Sequence, residues 1–291
     1  MYMKYAIIFF SSLLFLLLMP DNVTAQTNEA EIHFIDVGQA DSILVIHGDK
    51  SMLIDAGDNG DGDIVTDYIK KIGIDQLNYV VATHPHHDHI GGMDDVLKTF
   101  EVGKLIMPDV SYPTAHYKAL QRVIKKKKIS VMYAEEGKKF KLGQDVNVQI
   151  LSPQKRAEYE DFNDYSAVLR LRHNQNTFLL MGDAGVEVEK NMMSSIKKKH
   201  LSSDVLKLGH HGADSATSEL FLSTVSPEAA VISVGRNNRY HFPDDNVLQK
   251  LKSQNIPILR TDQIGTIIAT SDGKHIVFHT DNSFISQNKE K

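Results

Sequence analysis

The stretch Thr83-His84-Pro85-His86-His87-Asp88-His89-Ile90-Gly91-Gly92 limits what this chain can be more than any other part of it. It lies where an apolar strand through Val80 and Val81 runs into a loop and then a helix, and α/β folds place their chemistry at such strand ends. His84, His86, Asp88 and His89 set four ligand-type side chains within six positions. An extended loop through Pro85 and into the Gly91-Gly92 turn lets them converge on a small volume. Imidazole with carboxylate is the donor mix that suits zinc and, with more oxygen, manganese or iron. The chain has no cysteine, so any metal sits on His, Asp or Glu, and a disulfide framework, a thiol site and a lipoprotein anchor are excluded. A solvated histidine-rich loop is the plain alternative. A second aspartate at a strand end, in Leu53-Ile54-Asp55-Ala56-Gly57, argues against it.

The rest of the pattern supplies a frame for that loop. With 291 residues, 42% hydrophobic and 24% charged, the chain is a globular protein large enough for one α/β domain or two, and not a disordered or repeat chain. Lys4, a run from Tyr5 to Met19 and the small-residue site Val23-Thr24-Ala25 read as a secretory signal peptide, residues 1–25, with the mature chain starting at Gln26. The run is too short for the roughly 20 residues that a bilayer-spanning helix needs. Beyond it no linker divides residues 26–291, so they are read as a single domain. Glu31–Asp36, Ser42–Ile46 and Ser51–Asp55 predict a three-stranded meander, followed by helices at Ile64–Ile72, Met93–Phe100 and Ala115–Lys127 with strands between. A β-rich block at 145–181 and a strand-helix alternation from Asp204 to His279 follow. Strand-rich blocks separated by helices predict an α/β sandwich of two sheets flanked by helices.

These motifs, in order, resemble a known family. His84-x-His86-x-Asp88-His89 with Asp55 is similar to the signature of the metallo-β-lactamase fold, an αββα sandwich of two mixed sheets with a di-metal centre at one rim. Phe34-Ile35-Asp36-Val37-Gly38-Gln39-Ala40-Asp41-Ser42, the histidine loop, Met181-Gly182-Asp183, Val205-Leu206-Lys207-Leu208-Gly209-His210-His211-Gly212 and Arg260-Thr261-Asp262-Gln263-Ile264-Gly265 resemble the blocks of the hydrolase domain in the ComEC competence DNA-uptake family. The channel's transmembrane helices have no counterpart here, so the resemblance implies a free-standing, secreted relative.

The resemblance implies two divalent ions, zinc or manganese. The first falls to His84 and His86, the second to Asp88 and His89, and Asp183 bridges them; a cap on a helix starting near Gly185 is the other role open to Asp183. Of His210 and His211, one is the last imidazole ligand and the other supports it or contacts substrate. The third histidine of the general pattern is missing. Asn163-Asp164-Tyr165-Ser166, similar to an Asn-x-x-Ser block of the subgroup, stands in its place, so Asp164 or Asn163 either fills the ligand position or forms a local turn. That makes the first site richer in oxygen and manganese as fitting as zinc. Asp55, Asn163 and Ser166 are read as residues that orient ligands. Asp88 and His241 are the catalytic candidates. His241, in Arg239-Tyr240-His241-Phe242-Pro243, either meets a phosphoryl oxygen or leaving group or is a locally satisfied loop residue.

Two close divalent ions acidify a water and stabilise charge on an ester or phosphoryl oxygen, which is hydrolysis. The expected activity is that of a secreted nuclease or phosphodiesterase with DNA or a nucleotide as substrate. Hydrolysis of a lactam, lactone or thioester, and a non-catalytic metal-stabilised binding module, are the competing readings. A formal net charge of −5 removes any broad attraction to nucleic acid. The runs Lys125–Lys128 and Lys197–Lys199 are read as solvated helix ends in preference to a nucleic-acid track. No obligate protein partner follows from the sequence.

Overall fold

The computed structural model describes residues 28–281, so the expected leader and its cleavage site lie outside the described residues. The chain lays down β1 (Ala30–Phe34), β2 (Ile43–His47), β3 (Lys50–Ile54), α1 (Gly62–Lys71), β4 (Gln76–Val81), α2 (His87–Ile90), α3 (Met93–Thr99), β5 (Glu101–Met107), α4 (Ala115–Lys127) and β6 (Val131–Tyr133). It then crosses to a second sheet through β7 (Lys139–Leu142), β8 (Val146–Ser152), β9 (Val168–His173), β10 (Asn176–Leu180), α5 (Val186–Ser195), β11 (Val205–Lys207), α6 (Glu219–Val225), β12 (Ala229–Ile232), α7 (Asp245–Ser253) and β13 (Ile258–Arg260). After α8 (Thr261–Ile264) it returns to the first sheet as β14 (Thr266–Ser271) and β15 (Ile276–Asp281). The sheet orders are β15-β14-β1-β2-β3-β4-β5-β6 and β13-β12-β11-β10-β9-β8-β7, each mixing parallel and antiparallel pairs.

Alternation along the strands builds three apolar layers, because successive side chains point to opposite faces of a sheet. Phe34, Val45, Ile54 and Val81 face Leu169, Leu171, Phe178 and Leu180 between the sheets. Leu44, Leu53, Val80 and Leu105 point the other way, onto Val65 and Ile69 of α1, Val96 of α3 and Leu120 of α4. Leu179, Leu206 and Ile232 of the second sheet pack likewise against Val188, Met192, Phe221 and Leu251. The expected αββα sandwich is therefore the observed fold.

Two strands escape the sequence pattern. β6 and β7 are edge strands with exposed alternate positions, Val131, Tyr133, Lys139 and Lys141, so they carry little apolar signal. Edge strands are commonly short and lysine-bearing for this reason. The fold places the site through its parallel strands: β3 and β4 run together in one sheet, and β10, β11 and β12 in the other. Residues just past their carboxyl ends meet on one rim. There the histidine loop closes into the single turn α2, and a Cβ at Gly91 or Gly92 would collide with the backbone of Asn59 or Ala56. Only glycine lets the two loops approach so closely.

Candidate metal centre

Three histidines at the rim, His84, His89 and His211, are aimed by partners on their outer nitrogens. Asp55, fully buried and held at φ 58, accepts from the Thr83 backbone N–H at 2.8 Å and the Thr83 hydroxyl at 2.6 Å. The same carboxylate accepts from His89 Nδ1 at 2.7 Å, which leaves His89 Nε2 facing the rim. A left-handed aspartate is costly, and such outliers concentrate where geometry serves a site. His211 Nδ1 donates to the Ser233 carbonyl at 2.9 Å. His84 Nδ1 lies 3.2 Å from Thr83 Oγ1 and 3.4 Å from Ser166 Oγ, and that hydroxyl accepts from Asp183 N at 3.0 Å. Metal-binding imidazoles have such outer partners, which fix tautomer and orientation.

The inward atoms form two groups joined by one carboxylate. His84 Nε2 is 3.0 Å from His86 Nδ1 and 3.7 Å from Asp183 Oδ2. His89 Nε2 lies 3.2 Å from the other oxygen, Asp183 Oδ1, while His211 Nε2 is 3.7 Å from Oδ1 and 3.5 Å from Asp88 Oδ2. Asp88, His89, Asp183 and His211 each offer a ligand atom within 4.8 Å of the others. His89 Nε2, His211 Nε2 and Asp183 Oδ1 are buried with no hydrogen-bond partner. Buried polar atoms without partners are disfavoured by ~1–3 kcal/mol each. Three such atoms converging from different elements fit a cation between them.

The electrostatics agree with that fit. Burial pushes Asp183 up, but the charges of His89, His211 and His84 overcome it and hold the carboxyl well below its ordinary range. Burial likewise opposes ionisation of Asp88, yet His211, 3.5 Å away, and the charge of His89 keep it low. His89 and His211 are raised, against burial, chiefly by Asp183, with Asp55 acting on the first and Asp41 on the second. His84, desolvated and beside His89, is held well below its ordinary value.

A cleft of about 410 Å³ opens onto these residues. Tyr112 and Phe162, ring centroids 4.6 Å apart, stand on the His86 side; Tyr240 and Phe242, stacked at 5.5 Å, stand on the His210 side. The Arg239 guanidinium lies 4.7 Å from the Tyr240 ring centroid.

Some candidates lie elsewhere than the sequence suggests. Asp164 joins neither group: its Oδ1 accepts from Gly185 N at 2.9 Å, at the start of α5. No side chain caps α5, so Asp183 does not take the capping role either. Asn163 lines the cleft, with its side-chain oxygen buried and unpartnered. His210 is the more exposed of its pair, with Nδ1 2.9 Å from Ser215 Oγ and Nε2 3.9 Å from Asp183 Oδ2. Left-handed φ at both positions, 49 and 54, turns His211 inward and leaves His210 on the cleft wall. His241 is exposed and outside the cleft lining, because the turn with left-handed Asn237 and His241 presents its neighbours Tyr240 and Phe242 instead. Asp41 and Lys207 went unassigned. They form a buried 2.7 Å ion pair, and Asp41 Oδ1 lies 3.4 Å from His211 Nδ1. A lysine inside the apolar strand Val205-Leu206-Lys207-Leu208 was the available signal.

Residues 35–236 match the Metallo-beta-lactamase superfamily. The chain is 33% identical over 262 residues to ComE operon protein 3 of Bacillus subtilis, covering 83% of this chain and 33% of that protein. It is 30% identical over 226 residues to Recombination protein 2 of Haemophilus influenzae, covering 76% of this chain and 26% of the relative. The chain thus spans about a third or less of the length of these curated relatives. Among solved structures, the metallo-beta-lactamase fold protein YhfI from Bacillus subtilis superposes with a TM-score of 0.58 at 12% identity, over 84% of this chain and all of that one.

Proposed function

This chain belongs to the metallo-beta-lactamase superfamily, and from that premise we propose that it is a di-metal phosphodiesterase acting on nucleic acid, exported and matured at Gln26. The observation that carries the reading is the convergence of His89 Nε2, His211 Nε2 and Asp183 Oδ1, unpartnered, beneath a cleft lined by Tyr112 on one side and the stacked Tyr240 and Phe242 on the other. His84, His86 and Asp183 would hold one ion and Asp88, His89, His211 and Asp183 the other. Bound there, zinc or manganese would supply an acidified water and stabilise charge on the phosphoryl oxygens.

The protein's own residues do the rest. Asp55 fixes the His89 tautomer, and Asp183 ties the two halves at a set separation. Tyr112 on one side and Tyr240 and Phe242 on the other take the flat faces of bases flanking the scissile phosphate, since base–aromatic stacking contributes about 1–3 kcal/mol per base without regard to sequence. Arg239, above Tyr240, brings a cation to the mouth of an otherwise acidic cleft. The unpartnered Asn163 oxygen, lining the cleft with His86, would add an oxygen donor to the first position, a mix that suits manganese.

The test uses chain loaded with manganese or with zinc, and chelated chain, on single-stranded DNA, bis-p-nitrophenyl phosphate and nitrocefin. Metal-dependent cleavage of the two phosphodiesters, with manganese at least as effective as zinc, is expected. Nitrocefin turning over orders of magnitude faster than either would replace this reading with hydrolysis of a small carbonyl substrate. Export is checked separately, by the N-terminal residue of the secreted protein.

A further inference from the structure

We infer that the outer face of the second sheet, away from the metal centre, docks the phosphate backbone of a single-stranded nucleic acid. The register there builds a grid of cations. Lys139 pairs with Gln149 and Gln149 with Arg170; Lys141 pairs with Asn147 and Asn147 with Arg172. Since alternate residues share a face, all four cations point outward, separated by neutral amides, while Phe140, Val148 and Leu171 point into the core. Strand geometry spaces the grid by about 7 Å along each strand and about 10 Å across β7 to β9. Lys199 and His200 close one side of the same groove, which holds about 660 Å³.

Carboxylates stand at the margins of this face, Asp204 near Arg170 and Asp145 and Asp272 around a hollow shared with Lys141 and Arg172, without forming ion pairs to it. Among the described residues no carboxylate forms an ion pair with Lys139, Lys141, Arg170, Arg172 or Lys199, although the chain as a whole carries −5. Arg170 is half-buried with its Nε unpartnered. Burial and then Arg172 pull its pKa down, and Asp204, which opposes them, has an oxygen engaged by the Thr177 N–H and hydroxyl. His200 is held low by desolvation and by Lys199, Arg170, Lys139 and Lys197.

Protection of a sheet edge explains Lys139 and Lys141, because β7 is the edge. It does not explain Arg170 and Arg172, which stand two strands inside that edge. Lys197–Lys199 likewise do not continue a helix end: α5 stops at Ser195, and Lys198–His200 form a separate short turn beside the grid. A membrane surface fits poorly, since the exposed large apolar residues Ile72, Val131, Tyr133, Leu220, Tyr240 and Val277 all lie off this face. The choice of nucleic acid among polyanions rests on the phosphodiesterase reading. The face would hold a strand outside the cleft while one of its phosphates is cut.

Binding of labelled oligothymidylate is measured by anisotropy across a salt series, in chelator so that no cleavage intervenes. Wild type is compared with K139Q/K141Q, R170Q/R172Q and the quadruple variant, each checked for an unchanged melting temperature. K139Q/K141Q, on the exposed edge, serves if the half-buried Arg170 proves necessary for folding. The quadruple variant should bind at least about 10-fold more weakly, and its slope of log affinity against log salt should flatten by about 3, at roughly 0.7 per lost phosphate contact. K139Q/K141Q alone should flatten it by about half as much. Wild type that does not bind, variants that bind with the wild-type slope, or variants that lose binding to phosphatidylglycerol vesicles but not to the oligonucleotide would each overturn the proposal. Hydrolysis of bis-p-nitrophenyl phosphate by the metal-loaded variants should stay at the wild-type rate. Oligonucleotide binding without phosphodiester turnover sinks the hydrolase reading and leaves the docking face; turnover without binding does the reverse.

Discussion

Asp55→Asn isolates the role of a residue that touches neither substrate nor cleft. The native carboxylate serves three donors: the Thr83 N–H, the Thr83 hydroxyl and His89 Nδ1. An amide of the same shape has one oxygen and one NH2, so it cannot serve both sides. If the oxygen stays with Thr83, the NH2 faces His89 Nδ1 and favours the tautomer whose proton sits on Nε2, the atom needed to bind an ion. Losing an outer partner of this kind typically lowers metal affinity 10–100-fold, or about 1.4–2.8 kcal/mol. If the amide turns over, its NH2 opposes the Thr83 N–H and the fold loses about 1–3 kcal/mol instead. Affinity from chelator competition and stability from denaturant melts on one sample separate the two. The pH dependence adds a signature. Asp183 and Asp55 raise the His89 pKa against burial, so protons compete with metal and wild-type affinity falls as pH drops through that raised value. Removing Asp55 should move the fall to lower pH. A folded D55N protein with wild-type affinity, stability and pH midpoint would refute the argument.

His211→Ala should cut metal occupancy or affinity 100-fold or more, whereas His210→Ala should keep the metal and slow turnover; equal losses of metal would contradict the split between an inward and a cleft-facing imidazole. Lys207→Met strands the buried Asp41 carboxylate and should cost about 3–5 kcal/mol in denaturant unfolding, a loss that D41N/K207M largely restores. Glu189, buried under the start of α6 and accepting from the Thr217 and Ser218 N–H groups, has its pKa raised by desolvation. An acid raised on folding contributes stability that is full below its unfolded value of 4.5 and lost as pH climbs through the folded value, so Glu189→Gln should flatten that decline; an unchanged pH–stability curve contradicts the assignment.

Much of the fold was legible because its inner strands are buried on both faces or alternate cleanly. Val80 and Val81 face opposite layers, as do Leu179 and Leu180, and such strands read as apolar runs whatever their partners. The edges were not legible for the complementary reason. Lys139-Phe140-Lys141 buries only one side chain toward the core, so its sequence resembles a charged turn until β8 pairs with it. That short stretch also escaped notice as a surface, since the cations opposite it, Arg170 and Arg172, lie some thirty residues further along the chain.

The site divides along the same line between local and long-range information. His84, His86, Asp88 and His89 were legible together because one loop carries all four, and β4 and the Gly91-Gly92 approach dictate its path. What the loop does not contain, sequence left open. Choosing between His210 and His211 needs the backbone, since two successive left-handed residues reverse which imidazole points in. Assigning Asp164 needs the residue just before α5, since Gly185 N takes up the carboxylate while Asn163 faces the cleft. Asp41 and Lys207, separated by most of the chain, acquire meaning only when β11 carries the ammonium to the loop after β1. Their ion pair then backs His211 from the side opposite Asp88, so the second half of the centre is braced by charge on both sides. The first half, His84 and His86, has only the hydroxyls of Thr83 and Ser166 behind His84 and the Asn163 oxygen at the cleft. Fewer charged partners make it the weaker of the two, and on the proposed two-ion reading an ion bound by His84 and His86 should be released first on dilution into chelator.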